Sequence, residues 1–471
     1  MGAARDKTLV VGLELGDGRL IAEWSRDGHL PALGALQANG ISGRLDTLAD
    51  VLHVAAWPSI YTGTSPGQHG VYFTFQPAPG LQGYQRFHDG LYGRPTFWRV
   101  LSEAGHRCTV LDAPYTHPEP GFTGIQVFEW GTWAHYLKPT STPAAVLSEL
   151  RRACGDYPIG LEANDIGFMP IAPADMQGRI LRSIDAKTKA ALWAMAHAPW
   201  DLFFTVFDET HPAAHYCWSA AARAAAGAAP QERLLEIYRA LDRAIGTLIE
   251  HAGPDATVVV LSGDGVGPNH TGWYLLPEVL ARLGLFASSE TGEGPTEGAS
   301  DQGPKKRDPI KALRDFLPRD FRKALARRLP TALRDRLARR VDTAAIDWSR
   351  TRAYCLPTDL EGYIRINLEG REPEGIVREG AEYRAVCDGL AAALEELVDP
   401  ASGRRAVRRV VRSDEAFAGP RRAWLPDLIV VWSSEAAIGE LASPRIGTVA
   451  QPSPDPRPGT HTAPGLLLAR G

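Results

Sequence analysis

An α/β fold with a mainly parallel central sheet is what this 471-residue sequence predicts. Three observations carry the prediction. Short, wholly apolar runs recur along the chain, as in strands covered on both faces. Helix-length segments separate them, which is the alternation of βα units. Acids and histidines stand directly after several of the runs, at the carboxyl ends where open α/β sheets build their sites.

The apolar runs, in order, are TLVVGL (8–13), CTVLDA (108–113), LFFTVF (202–207), TVVVLS (257–262) and DLIVVW (427–432). Segments 29–39, 95–105, 177–198, 231–251 and 380–397 read as helices between them. Glu14 follows the first run, Asp112 ends the second, Asp208 and His211 follow the third, and Asp264 follows the fourth. Residues 287–304 are polar and glycine-rich, a flexible excursion by composition. They lead into a strongly basic stretch, 305–341, with a helical pattern. That stretch reads either as a solvated excursion docked by its Leu/Phe face or as a contact for a partner or membrane surface. The expected division is therefore a discontinuous catalytic domain, 1–286 with 345–471, carrying an insertion at 287–344.

Hydrophobic residues make up 44% and charged residues 23% of the chain, ordinary for a globular protein. A net charge of −4 supplies no pull toward nucleic acid, so no nucleic-acid partner is expected. The five cysteines are scattered, odd in number and lack CxxC spacing, which points to a reducing compartment. No run approaches the ~18 apolar residues of a membrane span, and the N-terminus lacks a signal-type apolar core. A cytoplasmic location is the expectation.

The chemistry gathers around DETHPAAHYCW (208–218). His211 and His215 are four apart, so on a helix both rings leave one face. Pro212 suits a first turn, and Asp208 or Thr210 is placed to cap it. The glutamate of HExxH is missing, so a zincin site does not follow; alone, such a pair is often two histidines sharing a helix face. A third histidine, His461, stands in the turn GTHTAPG (459–465). Three imidazoles suffice as the first shell of a catalytic ion with one position left open. Glu14 and Asp264, each otherwise readable as a helix cap, add oxygen donors. With His53 they would hold a second ion nearby, as in two-metal phosphate-cleaving sites. Glu129 and His135 in QVFEWGTWAHY (126–136), together with Asn269, are candidate substrate contacts, and buried packing is the alternative for the aromatic stretch.

The segments VVGLE (10–14), GHLPALGALQANGISGRL (28–45), AAWPSIYTGTSPGQHGVY (55–72), FDETHPAAHYCW (207–218), LSGDGVGP (261–268), YIRINLEGREPEGIV (363–377), LPDLIVVW (425–432) and GTHTAPG (459–465) occur in one order over nearly the whole chain. In these the sequence resembles the alkaline phosphatase superfamily, in its type I phosphodiesterase/nucleotide pyrophosphatase-like branch. The resemblance implies an α/β sandwich with helices on both faces of the sheet, and two divalent metals. One ion would fall to His211, His215 and His461, where His211 replaces the family's aspartate. The other would fall to Glu14, His53, Gly263 and Asp264, the positions of an aspartate, the Thr/Ser nucleophile and the Asp-His of a Ser-Asp-His-Gly motif. With His53 at the nucleophile position, three explanations stand open. His53 attacks as the nucleophile, His53 is a ligand while metal-bound hydroxide attacks, or hydrolysis has been lost. The ligand explanation is favoured because the replacements are mostly ligand types themselves. A shell this rich in imidazole suits zinc, with manganese or iron also possible. The expected function is metal-dependent hydrolysis of a small phosphorylated molecule, a phosphate ester or phosphoanhydride. The alternative is a non-hydrolytic metal- or substrate-binding protein on the same scaffold.

Overall fold

The structure is a computed structural model and describes residues 7–77, 79–80, 82–87, 91–119, 121–132, 134–135, 138–159, 161–162, 171–218, 229–289, 346–433 and 435–471. The basic stretch 305–341 lies outside the described residues, as does most of the 287–344 insertion.

The main sheet is built from β1 (Thr8–Leu13), β2 (Ile41–Leu45), β3 (Cys108–Leu111), β4 (Gly124–Phe128), β5 (Thr140–Thr142), β6 (Leu202–Phe207), β7 (Thr257–Ser262) and β14 (Gly465–Arg470). Their order is β2-β14-β7-β1-β6-β3-β4-β5. The five inner strands, β7-β1-β6-β3-β4, are parallel. β14 runs antiparallel to them and β2, antiparallel to β14, returns to their direction at that edge, while β5 runs antiparallel at the other. A two-stranded ribbon of β8 (Gly265–Pro268) and β13 (Gly459–Thr462) stands beyond the carboxyl end of β7. A second sheet, wholly antiparallel, has the order β9 (Ala353–Cys355), β10 (Gly362–Ile366), β12 (Leu428–Trp432), β11 (Val407–Arg412).

The main helices are α1 (Gly18–Arg26), α2 (Pro31–Asn39), α3 (Ala56–Thr62), α4 (Phe97–Glu103), α5 (Pro173–His197), α6 (Thr210–Cys217), α7 (Ala229–Ala252) and α8 (Ala381–Glu395). Alternate strand residues face opposite layers. Leu9, Val11, Phe203, Phe207, Val258 and Val260 pack with α2, α5 and α7. Val10, Phe204, Val206 and Leu261 pack with Trp57 and Tyr61 of α3 and Trp98 of α4. Burial on both faces is the reason these strands are apolar throughout, and it bears out the expected sandwich.

One expected strand has a different partner. The apolar run at 427–432 does not join the parallel sheet; as β12 it lies in the antiparallel second sheet. Leu428, Val430 and Trp432 face one core with Val386, Leu390 and Leu394 of α8. Ile429 and Val431 face another core with Leu52, Ala55 and Tyr72. A run apolar at every position records two covered faces, whichever direction its neighbours run. The second of these cores also anchors the segment that carries His53 against β10.

The close approach of α3 to β1 depends on Gly12. A Cβ there would meet Trp57 Cη2 at 2.6 Å and Val206 Cγ2 at 2.9 Å. Gly12→Val is expected to lower stability by about 1–3 kcal/mol, the usual cost of overpacking a filled core. Chemical denaturation checks it, and an unchanged midpoint would contradict this packing.

Candidate metal centre

Sheet topology brings the carboxyl ends of β1, β6 and β7 side by side, and the expected acids and histidines come with them. His211 and His215 are one turn apart on α6, with ring centroids 4.8 Å from each other. No side chain caps that helix, so neither Asp208 nor Thr210 takes the expected capping role. Pairing of β8 with β13 sets Val266 opposite His461. The His461 ring then lies 4.9 Å from that of His211 and 5.4 Å from that of His215. One nitrogen from each of the three histidines falls within a 4.8 Å group. Gly459 makes this approach possible, since a Cβ at that position would collide with the Ala214 carbonyl of α6.

Two of these rings are oriented from behind. His215 Nδ1 lies 2.8 Å from the Gly459 carbonyl, and His461 Nδ1 lies 2.6 Å from Asp264 Oδ2. A ring that donates through Nδ1 to such an acceptor keeps its lone pair on Nε2, the usual arrangement behind a metal-ligating histidine. Asp264 Oδ1 meanwhile accepts from the Leu15 N–H at 3.0 Å. Leu15 reaches it through a left-handed backbone at φ 59°. Asp112, Tyr115 and Glu129, around the ends of β3 and β4, share that region with φ of 52°, 56° and 60°. Such conformations are costly for non-glycine residues and gather where a site demands them.

Glu14, Asp264 and His461 form a second group of close donor atoms that shares His461 with the first. The Trp57 indole N–H donates to Glu14 Oε2, which ties α3 to the site. Glu14 Oε1 and Asp208 Oδ1 each stand 3.7 Å from His211 Nδ1. Burial, followed by the neighbouring Asp264 and Asp208, pushes Glu14 well above the usual carboxylate range. Burial also pulls His211 down to about 3 and His461 to about 4, and lowers His215 as well. Neutral imidazoles with crowded carboxylates are a donor set for a divalent cation, in residue type and in charge. The residues present therefore fit such an ion.

His53 joins neither group. Its Nδ1 is 2.9 Å from Glu361 Oε2, which also accepts from the Tyr363 hydroxyl at 2.9 Å. Its Nε2 faces Asp359 Oδ1 at 3.5 Å, and its ring centroid is 4.6 Å from that of His461. Burial disfavours the charged ring, yet Glu361 and then Asp359 hold its pKa up at about 9.

The candidate substrate contacts separate. Glu129 is buried and lines one small cavity with Glu14, Asp208 and His211. Asn269 turns away from that cavity: its Nδ2 donates to Asp455 Oδ2 and to the Arg457 carbonyl, both at 3.0 Å. His135 belongs to a two-residue strand, Ala134–His135, paired with Leu161–Glu162. His69 is a structural clamp, 3.0 Å from Ser59 Oγ and accepting from the Val71 N–H, with burial pulling it down to about 3.

Asp359, Glu361 and Arg457 escape a reading of the sequence. They are ordinary charged residues whose one signal is adjacency, Glu361 to the YIRIN strand and Arg457 to the GTH turn. The REPEG stretch that carries part of the family resemblance is structural. Arg365 pairs with Glu372 at 2.8 Å and Arg371 with Asp427 at 2.7 Å, beneath β10 and β12. A cleft of about 370 Å³ runs from His461 and Glu361 out past His270 and Trp432 to Arg19 and Arg408. Among the described residues no helix is long and apolar enough to cross a membrane.

Two solved structures of phosphonoacetate hydrolase from Sinorhizobium meliloti 1021 resemble this chain. The complex with phosphonoformate has a TM-score of 0.52 at 13% identity, and the complex with phosphonoacetate 0.52 at 14%. Each likeness covers 99% of this chain and 90% of the other. Murine ectonucleotide pyrophosphatase / phosphodiesterase 5, an inactive variant with AMP, scores 0.45 at 14% identity, over 99% and 88% of the two chains. At these identities the hydrolase likeness speaks for a shared fold. A comparison with curated proteins finds no match. The sequence model of type I phosphodiesterase / nucleotide pyrophosphatase matches residues 8–441, from β1 to beyond β12. The chain belongs to the type I phosphodiesterase / nucleotide pyrophosphatase family.

Proposed function

We propose that this protein is a metal-dependent hydrolase of phosphate esters or phosphoanhydrides, with an ion held by His211, His215 and His461 and a second position flanked by Glu14 and Asp264. The carrying observation is the convergence of three buried, neutral imidazoles from α6 and β13 on one point. Zinc suits this imidazole-rich set best, with manganese or iron next. When bound, such an ion supplies Lewis-acid polarisation of a phosphoryl oxygen and activation of water near neutral pH.

The chain's own groups have separable tasks. Asp264 and the Gly459 carbonyl orient His461 and His215, and Trp57 fixes Glu14. His53 stands where the family keeps its Thr/Ser nucleophile, with a carboxylate before each ring nitrogen. That environment favours an imidazolium, which has no lone pair to attack phosphorus. We therefore assign His53 to holding charge and a proton beside the phosphoryl group, in place of the nucleophile or ligand role. The substrate is a small phosphorylated molecule entering by the 370 Å³ cleft. Residues 1–286 and 345–471 act as one catalytic unit, because Glu14 and Asp264 come from the first and Glu361 and His461 from the second. Five free cysteines fit the reducing cytoplasm.

A second reading, metal or substrate binding without turnover, draws on the missing hydroxyl nucleophile and on Gly263. One experiment separates the two. Hydrolysis of bis(4-nitrophenyl) phosphate is expected to fall at least ~100-fold on chelation and to return with zinc. Zinc binding with no turnover on this or a nucleotide substrate would favour the second reading and overturn the first.

A further inference from the structure

A line of alternating charges runs beside the three histidines: Asp455, Arg457, Asp359, His53, Glu361. Its two ends are tightly made. Arg457 Nε and one terminal nitrogen donate to the two Asp455 oxygens, each at 2.8 Å, and His53 meets Glu361 at 2.9 Å. The middle is loose. Asp359 Oδ2 accepts one long hydrogen bond of 3.5 Å from a terminal nitrogen of Arg457, and its Oδ1 faces His53 Nε2 at 3.5 Å, both longer than the usual N–H···O length. Its Oδ1 is buried without a hydrogen-bond partner. Asp359 is also the most accessible member of the line, its side chain half-buried at 37% accessible against 4% for Arg457 and 4% for His53. It sits on the loop joining β9 to β10, where Thr358 Oγ1 donates to the Glu361 carbonyl.

We propose that Arg457 and His53 form the seat for an anionic oxygen of the substrate's phosphoryl group, and that the Asp359 carboxylate fills this seat until substrate displaces it. The inference rests on the hydrolase reading and names the residues that grip its substrate. A guanidinium clamped on one side by Asp455 presents its remaining N–H groups in a fixed fork, the geometry that recognises carboxylates and phosphates alike. The seat adjoins the metal centre, since the His53 ring is 4.6 Å from that of His461. A resident carboxylate between a guanidinium and an imidazole, held by one long hydrogen bond of 3.5 Å from Arg457, is the arrangement a displaceable stand-in would have.

The test is calorimetric binding of inorganic phosphate to the full-length protein, zinc-loaded and zinc-free, at mildly alkaline pH. Asp359→Asn is expected to bind phosphate about tenfold tighter than the parent. Asp455→Asn and Arg457→Met are expected to bind it at least about tenfold more weakly, with zinc content unchanged in all three. Opposite signs at the two carboxylates flanking one guanidinium are the diagnostic, since general relief of negative charge would tighten binding at both. Asp359→Ala, checked by its thermal melt, stands in if the asparagine variant folds poorly. Unchanged or weaker phosphate binding at Asp359 overturns the proposal, as does loss of zinc there, which would make Asp359 a ligand. A parent protein that takes up no zinc defeats the hydrolase reading, while the signs at Asp359 and Asp455 remain readable in the zinc-free protein.

Discussion

His215→Ala is expected to lose the bound ion and to lower phosphodiester hydrolysis by about 10³-fold or more, several kcal/mol of Lewis-acid stabilisation at 1.4 kcal/mol per tenfold. His215 is buried on α6, and its Nδ1 is already taken by the Gly459 carbonyl, so its remaining nitrogen is its contribution to the site. The same variant separates a missing ligand from a damaged fold. Zinc should raise the melting temperature of the parent by mass action, about 4 kcal/mol at a thousandfold excess over Kd. The variant, melting near the zinc-free parent, should show no such rise. A variant that keeps zinc and activity would remove His215 from the centre.

Lys187→Met is expected to cost about 3–5 kcal/mol of stability, the largest effect anticipated away from the metal ligands. Lys187 on α5 and Asp112 after β3 are both fully buried, with Nζ 2.8 Å from Oδ2. Removing the ammonium would leave a buried carboxylate whose other oxygen accepts from the Trp130 N–H at 3.0 Å. Asp112 cannot turn out to solvent, because its left-handed backbone and the Gly131 wall fix its direction; a Cβ at Gly131 would meet Lys187 Nζ at 2.6 Å. Adding Asp112→Asn should recover most of the loss, since asparagine tolerates that backbone and carries no charge. Denaturant midpoints of the single and double variants check both parts. Equal losses in the two would mean that packing, rather than an unpaired charge, sets the cost.

What could be read in the sequence follows from how local each signal is. The inner strands are legible because burial on both faces makes them apolar at every residue. That same signal misassigns 427–432, since it reports covered faces and says nothing of strand direction. His211 and His215 are legible as a pair because helical geometry fixes their spacing, and His461 because a Gly-Thr-His turn stands out. The contact between His461 and Asp264 depends on the β8–β13 ladder, a pairing of residues nearly two hundred positions apart in the chain. The setting of His53 is illegible in sequence for a similar reason. The carboxylates that face it come from a hairpin of the second sheet, and no spacing rule connects them to it. Arg457 stayed hidden because one arginine among many acquires its meaning only from Asp455 clamping it. Asn269, by contrast, looked available in sequence and is spent on holding the 455–457 turn.

The most direct test of the central claim is anomalous diffraction at the zinc edge from crystals of the zinc-loaded protein. The account predicts a peak within coordination distance of His211, His215 and His461, with His53 bound to Glu361 rather than to the ion. A zinc-loaded protein with no peak there, or with its ion held by other residues, would contradict it.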